Sequence, residues 1–353
     1  MLKPQPGIVA LPPYLSPIVS RDGMSLDLNE SMAGCSPRVL DRLRSLSPAD
    51  ISLYPARETG ETVIADFLGL DPPQVLLTNG MDEGLALLFA AYLGAGANSE
   101  LVFADPTFVM YPTLGEALGA RMIRVPSGEG LELPVDGLLR SVSPRTGLIA
   151  IANPNNPSAL SAARGDLLRI AEAAPQAAVL IDEAYFEFHG ETLIPDLARH
   201  PNLFVARTFS KAYGMAGMRL GVVTGAAEQI GYLRRLSLPF NVNSVALACL
   251  ETALADQTFV REHVAQVTEG RERLAHLFGE LGLRFWPSRT NFVLVRVDSP
   301  AEFVQAMRRR AILVRDTSAN PGCRGCVRIT VGTPSQMDAV LAAVRQAIAE
   351  IRG

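Results

Sequence analysis

Between Gln74 and Thr224 the chain alternates short apolar runs with stretches of helical periodicity. VLLT precedes a helical pattern over Met81 to Leu93, LVFA one after Pro112, and LIAIAN one over Asp166 to Ala174; AVLID, LFVART and LGVVTG complete the series. Short apolar runs that alternate with helices are the pattern of an α/β domain built on a mostly parallel sheet. Such sheets bind ligands at the carboxyl ends of their strands. From Asn243 to Leu281 the pattern is helical, without proline and with only Gly270 and Gly279. Beyond it come a strand (Asn291 to Val297), a helix (Ala301 to Arg310), a strand around Ile312, a strand (Val327 to Val331) and a helix from Ser335, which predict a smaller α+β domain. The first seventeen residues, MLKPQPGIVALPPYLSP, are too rich in proline for a regular element and are expected to lie as an arm across the rest.

Composition narrows the class of partner. With 353 residues, 48% hydrophobic and 19% charged, the chain is long enough for two packed domains. The net charge is −4, with Lys and Arg scattered, so the electrostatic footprint of a nucleic-acid or anionic-membrane binder is missing and a small-molecule partner is expected. The most apolar stretch, Leu85 to Ala97, is shorter than the ~18 residues of a membrane span, and the N-terminus lacks a secretory pattern. The cytoplasm is the default location. Four cysteines do not make a disulfide framework in a chain of this length. Cys323 and Cys326 form a CxxC, but a structural zinc needs a second ligand pair, and His189, His200, His263 and His276 are not placed to give one. No metal is expected, and PGCRGC reads as a tight turn entering a strand.

Four features at strand ends carry candidate chemistry. TNGMDEG, Thr78 to Gly84, passes from strand to helix, where free helix amides can receive a phosphate; an ordinary glycine turn has the same appearance. ANPNNPS, Ala152 to Ser158, follows a strand and is either a plain turn or a means of offering the Asn156 amide to a phenolate-like oxygen. In VLIDEAYFEF, Asp182 and Glu183 end a strand, where a carboxylate can cap a helix, bind a metal or face a cationic ring. RTFSKAYGMAGMRLG sets Thr208 and Ser210 before Lys211 and Arg219 eight residues after it. Burial after an apolar strand lowers a lysine's pKa and makes its amine nucleophilic, and the two hydroxyls with the arginine can bind a phosphate beside it.

In this order the four features resemble the fold-type I pyridoxal-phosphate (PLP) dependent aminotransferases, and most closely the histidinol-phosphate aminotransferases. LPPY before LDLNES, then SLYP, DEAYFEF, PFNVN, ILVRD and VRITVGTP extend the likeness over nearly the whole chain. The resemblance implies that Lys211 holds the cofactor as a Schiff base and, once displaced by substrate, acts as the base that shuttles the proton. It implies Asp182 against the pyridine nitrogen, Asn156 and Tyr185 on the ring oxygen, and Phe108 stacked on the ring. The implied phosphate cup is Gly80, Met81, Asp82, Thr208, Ser210 and Arg219, joined by Tyr54 of the other subunit of a homodimer. Substrate is assigned to Tyr14, Asn29, Arg315 and Arg328, with Arg328 on the acidic end and Arg315 and Tyr14 on a phosphate. With this likeness the chain divides into an arm (1–25), a large cofactor-binding domain (50–240) and a small domain (26–49 with 241–353). Three positions depart from the family pattern: Phe108 and Phe240 stand where tyrosines are common, and NNPSA replaces NNPTG.

The expected reaction is amino transfer between histidinol phosphate and 2-oxoglutarate, in histidine biosynthesis. Aromatic amino acid transamination and threonine-phosphate decarboxylation use the same core. A PLP-binding regulator without catalysis is the reading from another class; such proteins commonly carry a DNA-binding helical module ahead of this fold, whereas only a short arm stands there, and Lys211 is intact. For Arg315 a surface ion pair is the plain alternative. Arg315 and Arg328 lie in strand-like segments thirteen residues apart, joined by a turn-rich loop, so pairing of the strands would direct both guanidiniums into one pocket.

Overall fold

The computed structural model describes residues 6–12, 22–94 and 99–353. Among them, β1 is Met24–Ser25, β2 Val75–Asn79, β3 Glu100–Asp105, β4 Arg121–Pro126, β5 Thr146–Ala152 and β6 Ala178–Asp182. The series continues with β7 Leu203–Thr208, β8 Leu220–Gly225, β9 Phe292–Arg296, β10 Ile312–Leu313, β11 Arg315–Asp316 and β12 Cys326–Thr330. Seven of these form the central sheet, in the order β2-β8-β7-β6-β5-β3-β4. All its pairings are parallel except those of β8, which runs against both β2 and β7.

Alternation along the central strands sorts their side chains onto two cores. Val179 and Ile181 of β6 join Ile149, Ile151, Leu203 and Val205 beneath the helix Arg164–Ala173. Ala178 and Leu180 face the other way, with Ala150, Phe204 and Ala206, against Leu85, Leu88 and Phe89 of the helix Met81–Tyr92. Burial on both faces explains why these strands read as unbroken apolar runs. The two-residue period also fixes the side on which Asp182 emerges: two residues beyond Leu180, it opens on the face covered by the helix Met81–Tyr92.

The second unit centres on an antiparallel sheet of order β11-β12-β9, backed by the helices Gln257–Glu280, Pro300–Arg309 and Pro334–Arg352. β1 pairs in parallel with β10, so the chain near its start is tied to a segment almost 290 residues later.

Two sequence expectations need correction, and a third, the helical pattern from Asn243 to Leu281, holds with an added break. The proline-rich arm does contain a regular element, the one-turn helix Pro6–Ala10, which packs on the helix Met110–Ala117. Pro6 is its first residue, where a missing N–H costs nothing. The helix expected after Pro112 begins before it, at Met110, because first-turn amides have no intrahelical acceptor and a proline there removes no bond. The helical run Asn243 to Leu281 is two helices, Ser244–Ala255 and Gln257–Glu280. Asp256 ends the first and caps the second, its carboxylate accepting from the Phe259 N–H at 3.4 Å. A break made by a capping side chain leaves no proline or glycine to announce it.

Candidate active site

The carboxyl ends of β5, β6 and β7, the start of the helix Met81–Tyr92 and the small sheet enclose a cavity of about 370 Å3, the size of a small-molecule site. Asp182 lies at its base, 2% exposed. Its Oδ1 accepts from the Ala184 N–H at 3.0 Å and its Oδ2 from the Tyr111 hydroxyl at 2.7 Å. Burial pushes its pKa up to about 6 against these two bonds, so the site has one costly carboxylate at its floor. Its neighbour Glu183 points away, to Arg207 (3.0 Å), Thr192 (2.8 Å) and the Leu193 N–H (2.8 Å). Strand alternation thus separates two adjacent acids into a site residue and a buried ion pair.

Lys211 lines the same cavity, its Nζ donating to the Leu28 carbonyl at 3.3 Å. Burial and then the Arg328 charge lower its pKa to about 8. Beside it is a corner of anion donors. The Thr208 and Ser210 hydroxyls are 3.1 Å apart, and Arg219 occupies the left-handed region at φ 54°. Gly80, also at positive φ (74°), precedes the helix Met81–Tyr92, which has no side-chain cap, leaving its first amides to a ligand. The positive φ favours glycine, and a Cβ on Gly80 would come within 2.5 Å of the Arg219 guanidinium and push it from its place. The Asp82 carboxylate accepts from Arg219 at 3.1 Å, which leaves Met81 and Asp82 to serve an anion through backbone N–H alone.

On the remaining wall, Arg328 donates from Nη1 to Asn156 Oδ1 and from Nη2 to the Asp27 carbonyl, both at 2.6 Å. Since a guanidinium only donates, Asn156 must present its oxygen to Arg328 and keeps its NH2 as the group on offer. Tyr185 is fixed in the same manner: its oxygen accepts from Asn29 Nδ2 at 2.9 Å, so its proton is free to be donated elsewhere. Asn29 holds this pose at φ 56°, tolerable for asparagine, with its Oδ1 accepting from Thr330 at 3.2 Å. β11 and β12 are antiparallel, with Arg315 directly opposite Arg328. Residues in direct opposition share a face, and both arginines line the cavity. Arg315 forms no ion pair among the described residues.

Of the residues singled out in the sequence, Phe108 also lines the cavity. Tyr54 does not; it is 81% exposed and stacks on Phe240 with ring centroids 4.3 Å apart. Tyr14 lies outside the described residues. Cys323 and Cys326 are free and buried, the Cys326 N–H closing a turn onto the Cys323 carbonyl as β12 begins. Sequence reasoning missed Glu30, Thr317 and Asn320 on the cavity wall, and Tyr111 beneath it. For Tyr111 the signal was faint: a phenol three residues after Phe108, on a helix of otherwise apolar inward positions.

A dianion corner of two hydroxyls, an arginine and helix amides, a lysine of lowered pKa, a flanking aromatic and a buried carboxylate on the floor match PLP group by group. Residues 21–344 match the family model described as aminotransferase class I and II. Histidinol-phosphate aminotransferase 1 of Bacillus cereus is 34% identical over 335 residues, 93% of this chain and 89% of its own length. Histidinol-phosphate aminotransferase 2 of Methylococcus capsulatus is 36% identical over 334 residues, 91% of this chain and 89% of its own. The crystal structure of histidinol-phosphate aminotransferase from Sinorhizobium meliloti in complex with pyridoxal-5'-phosphate has a TM-score of 0.89 at 27% identity, covering 99% of each chain. Family and cavity agree: the chain belongs to the class I and II aminotransferases and is a PLP-dependent enzyme of that family.

Proposed function

We propose that this aminotransferase takes its amino group from histidinol phosphate and passes it to 2-oxoglutarate, giving imidazole acetol phosphate and glutamate in histidine biosynthesis. The observation that carries the substrate is the cross-strand pair Arg315 and Arg328 on one cavity wall. A monoanionic carboxylate needs one arginine, whereas two in the same pocket suit a phosphate dianion. Phenylalanine or tyrosine would leave Arg315 without a task. Tyr14 is proposed as a further phosphate donor, and Asn29 as the residue that holds Tyr185 in place against the substrate. The relatives named for histidinol phosphate support the same reading.

When bound, the cofactor's pyridinium ring supplies an electron sink for the charge left on removal of an α-proton. The proposed roles of the residues follow from what each can donate or accept. Asp182 holds a proton on the ring nitrogen by its negative charge. Tyr185 keeps its hydroxyl proton and Asn156 its NH2 after their oxygens have served Asn29 and Arg328, and both groups are assigned to the ring oxygen. Gly80, Met81, Asp82, Thr208, Ser210 and Arg219 bind the phosphate, and Phe108 flanks the ring. The Lys211 amine would hold the cofactor and, once released from it, would serve as the base that accepts the substrate's α-proton and hands it on.

The working unit is proposed to be a homodimer in the cytoplasm. Leu53, Tyr54, Leu238 and Phe240 form an exposed apolar cluster, with Leu238 70% exposed, and patches of this kind mark protein interfaces. Tyr54 would cross that interface to the partner's phosphate corner. Free cysteines suit a reducing compartment. Offering histidinol phosphate, phenylalanine, tyrosine and threonine phosphate separately, and following glutamate formation and carbon dioxide release, tests the substrate. Preferred transfer from histidinol phosphate is expected; preference for an aromatic donor, or carbon dioxide from threonine phosphate, would overturn the assignment.

A further inference from the structure

Tyr111 is fully buried and is outside the cavity lining, yet its hydroxyl reaches the carboxylate at the cavity floor, donating to Asp182 Oδ2 at 2.7 Å. It comes up from the helix Met110–Ala117 and is packed between Phe89 and the edge of Phe108, with ring centroids 6.0 and 5.9 Å away. Resting on the reading of Asp182 as partner of the cofactor's ring nitrogen, we propose that Tyr111 is a positioning residue that keeps the Asp182 carboxylate ionised and oriented.

The electrostatics around Asp182 explain the need for such a donor. Burial disfavours its charge most, and two further acids act in the same direction: Asp82 from the helix Met81–Tyr92 and Glu183 from the adjacent position. Glu183 is partly offset by Arg207, and Tyr185 and Lys211 face the same cavity. Against this stand two hydrogen bonds, from Tyr111 and from the Ala184 N–H. The second belongs to the backbone and is always present, so Tyr111 is the side chain through which the sequence sets the protonation of Asp182. Burial and the adjacent Asp182 charge hold the Tyr111 pKa well above that of an ordinary phenol, so Tyr111 stays a donor throughout the working range. A bond to an ionised acceptor is among the stronger kinds. Its loss should raise the Asp182 titration by at least about one pH unit, roughly a tenfold change in the protonation equilibrium.

Tyr111→Phe removes only the hydroxyl. The Asp182 carboxyl band is followed by infrared titration of cofactor-free protein and assigned by its disappearance in Asp182→Asn. PLP affinity is measured against pH on the same proteins. Ionised Asp182 favours binding, so affinity is present above its pKa and lost as pH falls through it. In Tyr111→Phe both the carboxyl titration and this loss should move upward by about one unit or more, with affinities converging on wild type above pH 8. Comparison at each pH cancels the titrations of the cofactor and Lys211. An unmoved carboxyl titration, or an affinity reduced by one factor at every pH, would overturn the proposal. If the carboxyl moves while Asp182→Asn binds PLP as wild type does, the coupling to Tyr111 stands and the role of Asp182 falls. Should Tyr111→Phe not fold, 3-fluorotyrosine at position 111, a more acidic phenol and stronger donor, should lower the Asp182 titration; no shift or a rise would overturn the proposal.

Discussion

Replacing Arg315 with alanine separates the phosphate reading from the amino-transfer chemistry. The side chain is exposed at the cavity rim and forms no ion pair among the described residues, so its removal strands no buried partner. A stability change within about 0.5 kcal/mol is expected. Toward a substrate phosphate, one desolvated charge-assisted hydrogen bond contributes about 1.5 to 3 kcal/mol, and solvent at an exposed rim reduces this. We therefore predict a loss of about 1.4 kcal/mol, a tenfold fall in kcat/KM, for histidinol phosphate. Phenylalanine carries nothing for Arg315 to hold, so its turnover should change less than about twofold on the same scale. Arg328, tied to Asn156 and the Asp27 carbonyl, remains to bind the carboxylate of that donor. Steady-state assays with 2-oxoglutarate saturating give both ratios. Equal losses on the two donors would show Arg315 to be structural and would remove the argument for a phosphorylated substrate.

Three further predictions concern the amine, the assembly and the fold. Only a neutral amine attacks a carbonyl, and the Lys211 pKa is lowered to about 8. Covalent capture of PLP by cofactor-free protein should accordingly speed up as pH rises, with its midpoint near 8, and Lys211→Ala should capture none; a rate still climbing as for an ordinary lysine above pH 10 would refute the burial argument. Lys211→Ala and Tyr54→Phe subunits, each impaired alone, should regain part of the activity when mixed and exchanged, since one site of each mixed dimer is then free of both lesions. Exchange without recovery would exclude shared sites. Glu61 is 2% exposed and accepts from Arg234 at 2.7 Å and the Leu77 N–H at 3.1 Å, with Arg57 3.2 Å away. Glu61→Ala should cost about 3 kcal/mol and lower the melting temperature by several degrees, because two arginines lose their counter-charge; a shift equivalent to less than about 1 kcal/mol would mean that solvent already screens them.

Several parts of the molecule were legible along the chain because their causes are local. Apolar runs such as AVLID and LFVART can be satisfied only by strands buried on both faces, and the helical periods between them supply the crossovers. Motif order points to Lys211, Asp182, Asn156 and Arg219, since each stands at or near the end of a strand and ligands gather at strand ends. Local signals could not show what meets at a distance. The Asp256 break depends on a cap, and the Met110 start on first-turn amides that never needed partners. Separation of Asp182 from Glu183, the outward-facing donors of Asn156 and Tyr185, and the hydroxyl of Tyr111 under Asp182 all involve contacts spanning 24 to 172 residues. Burial decides these contacts: a polar group removed from water must find a partner, and which partner it finds is set by how the sheet and helices pack, not by its neighbours in sequence.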